Sequence, residues 1–297
     1  MSSFVVSKNK NIFMDKLNYF LDLYYNDKIE VFENEISSYY GLEKVILNKL
    51  IDNGFNIYKN TIASFINIGS FMNYMDSNNS GLIFKNKKDL YLNFCSYFYS
   101  YFVKNVEFIS EVELAICTIY FKNMIEIDIR FYLYDKGMYS LITEDYLDRL
   151  SEVLKNKKVL EVCAGQGFLG KGLFDRGVSI KCTDDFSWKD KYKWGRSKFR
   201  IEKLDALSAL NKYINDIDIV LVSWVPYDST LDIEILRYIR KYNSKVLFFV
   251  VGEGLGGATG SELLFEEGRI VHNDLSNYIN EKKDKLHGIN ERLFIFS

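Results

Sequence analysis

Two patterns of apolar residues divide this chain. Through residues 1 to about 140, apolar side chains recur at helical spacing. "MDKLNYFLDLYY" puts Leu17, Phe20, Leu21 and Tyr24 on one face. "ISSYYGLEKVILNKLIDNGF" and "TIASFINIGSFMNYM" repeat the pattern, and "NNSG" at Asn78–Gly81 marks a turn. "LYLNFCSYFYSYFV" is a core helix, too short and too rich in Ser and Tyr for a membrane span. Residues 106 to 134 are ambiguous, with β-branched runs such as "IEIDIRFYLY" overlying helical periodicity. The expectation is a mostly helical N-terminal domain over residues 1–140.

From residue 141 the pattern alternates. "TEDYLDRLSEVLK" is a helix with Thr143 as its N-cap. Strand-like runs "KKVLEVCA", "VSIKCTDD", "RIEKLDA", "DIDIVLVSW", "KVLFFVVGE" and "RLFIFS" follow, separated by "GFLGKGLFDRG", "LSALNKYI" and "TLDIEILRYIRKY" at helical spacing. Strands alternating with helices predict an α/β domain over residues 141–297, a doubly wound, mostly parallel sheet of Rossmann type. The fully apolar strands "IVLV" and "VLFFVV" fit burial on both faces. Ligands of such sheets sit beyond the carboxyl ends of the strands.

Candidate chemistry gathers at those ends. The first strand carries Glu161 and runs into Cys163, Ala164, Gly165 and Gly167. Glycines there let the backbone turn sharply and approach a ligand. "GQGFLG", Gly165 to Gly170, also matches the dinucleotide pattern, so a nicotinamide cofactor stays open on that string. The second strand ends in Asp184 and Asp185, the third in Asp205 and Ala206, and the fourth in "SWVPY". This ordered series resembles the class I S-adenosylmethionine-dependent methyltransferases, with Cys163 in the place of the first glycine of their loop motif. The resemblance implies that S-adenosylmethionine is the cofactor. It implies that Glu161, Gly165 and Gly167, in one loop with Cys163 and Ala164, hold the methionine part. Asp184, or Asp185 in its stead, holds the ribose, and Asp205 and Ala206 flank the adenine.

Ser223 and Trp224, which the resemblance also assigns to the cofactor, open the lip of the fourth strand, and Pro226, the single proline of the chain, follows. "SWVPY" partly matches the polar-Pro-Pro-aromatic motif of amino-group methyltransferases, with Trp224 and Val225 at the first two positions. The aromatic contact to an acceptor is then assigned to Tyr227. Glu253 ends the fifth strand, where a side chain faces the acceptor, and Gly252–Gly260 could cradle an anionic group beside a helix starting near Ser261. Tyr139 and Ser140 precede the first helix of this domain, where relatives close over the cofactor.

Composition narrows the function further. The net charge is −2, so no global field draws the chain to nucleic acid or membrane. "SWKDKYKWGRSKFRIEK" (Ser187–Lys203) interleaves Lys and Arg with aromatics and is the one feature favouring nucleic acid. Four scattered cysteines form no C-x-x-C pair, and only two histidines, His272 and His287, are present, so no metal centre is expected. The first residues lack a signal-peptide pattern, and a cytoplasmic protein is expected. The function so read is methylation of a small-molecule or peptide acceptor at N or O, with the N-terminal helices shaping the acceptor pocket or a homodimer interface. The alternatives are a nucleic-acid amino methyltransferase, an aminocarboxypropyl transferase, a non-catalytic cofactor-binding regulator and a nicotinamide oxidoreductase.

Overall fold

The computed structural model describes residues 15, 18, 19, 31, 68–77, 83–105, 123, 125–190, 197, 199–227 and 229–297. It divides into two units, Met1–Leu82 with Lys87–Ile129, and Ile83–Asn86 with Arg130–Ser297. The main run of the second unit begins at Arg130.

In the first unit the described residues are helical, in α1 (Ile68–Ser77) and α2 (Lys87–Asn105) above all. Phe71, Met72, Leu90, Tyr91 and Phe94 are buried, and the Phe71 and Phe94 rings meet edge to face at 5.4 Å. Buried Glu126 receives the Tyr91 hydroxyl and pairs with Lys87 at 2.8 Å. Residues 125–135 are helical, which settles the described part of the ambiguous run; residues 106–122 and 124 lie outside the described residues. Ile125, Ile129 and Leu133 are buried at every fourth position, so the helical period prevails over the β-branched composition. "ISSYYGLEKVILNKLIDNGF", "NNSG" and the face of Leu17, Phe20, Leu21 and Tyr24 lie outside the described residues.

The second unit is a six-stranded sheet in the order β3-β2-β1-β4-β5-β6. The strands are β1 (Lys158–Val162), β2 (Ser179–Asp184), β3 (Ile201–Lys203), β4 (Ile219–Ser223), β5 (Leu247–Glu253) and β6 (Glu291–Phe296). The first five are parallel, and β6 is antiparallel to β5. Helices α3 (Glu144–Leu154), α4 (Phe168–Asp175), α5 (Ala206–Tyr213), α6 (Leu231–Tyr242), α7 (Glu262–Glu267) and α8 (Asn273–Asn280) connect or flank them. Thr143 caps α3, its hydroxyl accepting from the Tyr146 amide.

Alternation along the strands splits the core. Leu160, Val162, Val220, Val222, Phe248 and Val250 face one side and pack with Ala209, Ile233 and Leu236 of α5 and α6. The intervening residues Val159, Glu161, Leu221, Phe249 and Val251 are buried on the other side, where α4 packs against β2 and α8 against β6. Burial on both faces is what makes the central strands apolar throughout. The register sets Val162 beside Val222 and Ser223 beside Val251, so the carboxyl ends of β1, β4 and β5 share one edge. Strand order reverses between β1 and β4, and that edge is the crevice where such sheets bind ligands.

Candidate functional site at the carboxyl edge

The β1–α4 loop is built on left-handed backbone. Cys163, Gly165 and Gly167 have φ of 55°, 57° and 79°. Cys163 thus holds a side chain in a backbone region that favours glycine, at a cost of about 1–2 kcal/mol. Burial and the surrounding carboxylates push its thiol up to about 12, so it stays a neutral packing group. The space above Gly165 is open, with no atom within 4 Å of where a Cβ would stand. Gly170 differs. A Cβ there would lie 2.3 Å from Cys182 Sγ and 2.4 Å from Glu161 Oε2, so the third glycine lets α4 close onto the sheet.

Glu161 lies beneath this loop. Its carboxyl is buried, accepts the Cys182 S–H at 3.0 Å and takes the Gly170 amide. Burial pushes it up to about 7, with the nearby Asp184 adding to the shift. It supports α4 from below and does not line the open space.

The two aspartates at the end of β2 have separate surroundings. Asp184 is buried. Its Oδ2 accepts from the Gly165 amide at 2.8 Å, and Oδ1 accepts from the Phe186 amide at 2.7 Å and the Trp188 indole at 3.0 Å. Burial raises its pKa while these donors oppose the rise. Asp184 therefore ties the glycine loop to the segment after β2. Asp185 is exposed, and its Oδ1 accepts from the Ser187 amide at 2.8 Å. Asp205 is the N-cap of α5 and accepts from the Ser208 amide at 2.9 Å; the Ser208 hydroxyl, with that amide second, holds its carboxyl below the usual range, and Ala206 beside it is buried.

At the end of β4, Trp224 also has a left-handed backbone, φ 59°. Its amide donates to the Val251 carbonyl at 2.8 Å, and its indole N–H donates to Glu291 Oε2 at 2.8 Å. The Tyr139 ring stacks on it with centroids 6.4 Å apart. Ser223 before it is half-buried, and Ser140 is buried. The carbonyls of the lip are engaged: Val225 accepts from the Gly260 amide at 3.0 Å, and Pro226 accepts from the Ser229 amide at 3.2 Å. Tyr227 is 67% exposed.

Glu253 braces the glycine-rich loop. Its Oε2 accepts from the Ala258 amide at 2.7 Å and its Oε1 from the Asn290 amide at 2.8 Å. Buried Asp232 anchors the loop's end, receiving the amide and hydroxyl of Ser261 at 2.8 and 2.7 Å. Between this loop and the lip lies a cleft of about 330 Å³, lined among others by Tyr227, Leu255, Thr259, Glu262, Leu263 and Glu266. Among the described residues the lining contains the carboxylates Glu262 and Glu266 and no Lys or Arg.

His272 precedes α8, and His287 is exposed. Of the basic run, residues 191–196 and 198 lie outside the described residues. Within it, Trp188 is bound to Asp184 and Phe199 packs on Phe174. Among the described residues there is no His, Cys, Asp and Glu group able to hold a metal ion, and no helix is long and apolar enough to cross a membrane.

No family model matches this chain, and no curated protein matches it. Among solved structures it aligns with the mitomycin 7-O-methyltransferase MmcR, over 99% of this chain and 98% of that one, at 11% identity and a TM-score of 0.29. The strand order and loop geometry, rather than that alignment, carry the functional argument. Sequence reading missed Lys283 and Glu291. Their signal is faint: an acidic residue opening the strand-like run "ERLFIF", and a lysine in the charged run "EKKDKL".

Proposed function

We propose that the chain is an S-adenosylmethionine-dependent methyltransferase acting on a small-molecule or peptide acceptor. The observation that carries this reading is the ending of the sheet. A dinucleotide fold has two parallel mononucleotide-binding halves. Here β3-β2-β1 form one such half, while β4 and β5 are followed by the antiparallel β6. That favours a single nucleoside at the β1–β2 edge over a dinucleotide spanning both halves, although "GQGFLG" alone suits either.

The residues present fit such a cofactor. Gly165 leaves open space beside the loop, and Asp185 presents an exposed carboxylate at the end of β2 for the ribose hydroxyls. The Asp205–Ala206 corner would flank the adenine. When bound, the sulfonium supplies a methyl carbon already activated toward a nucleophile. The chain's task is then alignment, which lowers the barrier without strong acid–base groups. Tyr227 and the adjoining cleft would orient the acceptor. Glu262 and Glu266 in its lining favour a neutral or cationic acceptor over an anionic one.

Calorimetric titration with S-adenosylmethionine, its demethylated product and NAD tests this reading. Binding of the sulfur nucleosides is expected; binding of NAD but neither nucleoside would overturn it. Labelled-methyl incorporation from a metabolite extract then identifies the acceptor.

A further inference from the structure

One ion pair reaches both halves of an aromatic pair at the reaction edge. Lys283 and Glu291 are buried and meet at 2.7 Å. Glu291 Oε1 also accepts from the Leu141 amide at 3.1 Å, and Lys283 donates to the Leu141 carbonyl at 2.6 Å. Glu291 Oε2 accepts from the Trp224 indole at 2.8 Å. Leu141 lies two residues past Tyr139, whose ring stacks on Trp224. The pair therefore fixes the segment bearing one ring and the edge of the other ring directly. Trp224 needs such fixing, because a bulky residue in the left-handed region persists only where its surroundings over-determine it.

We propose that Glu291 is a positioning residue, with Lys283 as its counter-charge, and that together they hold the Tyr139–Trp224 pair in the posture that flanks, from the end of β4, the sulfur nucleoside seated over the adjoining end of β1. This rests on the methyltransferase reading. The geometry assigns the role because an ion pair placed only for stability needs no bond to the indole. A buried pair is also weak as a source of stability, since desolvation offsets much of its attraction.

The test compares two double variants of the full chain. Lys283→Met with Glu291→Gln removes both charges and keeps an acceptor for the indole. Lys283→Met with Glu291→Leu removes the acceptor as well. Nitrogen–proton spectra resolve the indole N–H groups, and Trp224→Phe identifies the Trp224 signal. In the Gln variant that signal should stay protected from solvent exchange. In the Leu variant it should shift and exchange faster, and affinity for S-adenosylhomocysteine should fall roughly tenfold, about the worth of one hydrogen bond to a charged group. The Gln variant should bind within about threefold of the parent. Equal binding by both variants, or an unmoved indole signal in the Leu variant, overturns the positioning role. Failure of the parent chain to bind S-adenosylhomocysteine overturns the methyltransferase reading instead, and the indole spectra of the unliganded chain still judge the Glu291–Trp224 bond.

Discussion

The indole of Trp224 and the carboxylate of Glu291 are bonded at 2.8 Å although 67 residues separate them. Trp224 directly follows β4, and Glu291 opens β6, the last strand of the second unit. The antiparallel course of β6 makes the contact. It starts where β5 ends, with Glu291 opposite Glu253, so its first residue arrives at the carboxyl edge of the parallel strands. A parallel last strand would bring its final residue there instead.

This pair carries a stability prediction. Glu291→Leu alone leaves the Lys283 ammonium buried without its partner, and should cost about 3–5 kcal/mol by urea denaturation. Adding Lys283→Met should recover much of that loss. A double variant as unstable as the single one would contradict the assignment.

Asp184 and Asp185 should separate stability from binding. Asp184→Ala removes three hydrogen bonds that tie the glycine loop to the segment after β2. It should destabilise the domain by about 2–4 kcal/mol as well as abolish nucleoside binding. Asp185→Ala, at an exposed position, should leave the melting transition within about 0.5 kcal/mol of the parent while weakening binding of S-adenosylmethionine. Paired calorimetry and thermal melts check both.

Gly170→Ala should destabilise by about 1–3 kcal/mol, because its methyl would overlap Cys182 Sγ and Glu161 Oε2. Gly170→Ala combined with Cys182→Ala, which clears one of the two obstacles, should lie closer to the parent in urea denaturation.

Glu161 predicts a pH dependence. Its folded pKa is raised to about 7 from 4.5, chiefly by burial. Below pH 4.5 it is protonated in both folded and unfolded chains and exacts no penalty. As pH rises from 4.5 to 7 the unfolded chain releases this proton first, so stability falls across that window, by about 3 kcal/mol in all. Glu161→Gln keeps an acceptor for the Gly170 amide and abolishes this loss. Relative to the parent, the variant should gain stability between pH 4.5 and 7 and hold the gain above. A difference independent of pH, measured by thermal melts across the range, would falsify the account.

The alternating pattern after residue 141 was enough to place all six strands and the helices α3 to α6, because a strand buried on both faces must be apolar throughout and a half-buried helix must repeat near 3.6 residues. The loop after β1 was legible for a similar reason: Gly165 and Gly167 occupy left-handed backbone that few other residues tolerate. The helical character of residues 125–135 was not, since "IEIDIRFYLY" suits either period and burial every fourth residue decided it.

Side-chain roles at the edge depended on tertiary structure. Sequence brought Glu161, Asp184, Asp185, Asp205 and Glu253 to the ends of strands but could not say which carboxylates face outward. Folding turned Glu161 under α4, spent Asp184 on the glycine loop and Glu253 on the loop after β5, and left Asp185 exposed. Which way a carboxylate turns depends on the amides and thiols that come within 3 Å of it from other segments. For the same reason Lys283 and Glu291 showed no sign of their connection to Trp224: the bond exists only because β6 runs back along β5. The order of elements follows from local periodicity, which each stretch of sequence carries within itself. The partners of buried charges follow from the topology, which belongs to the whole chain.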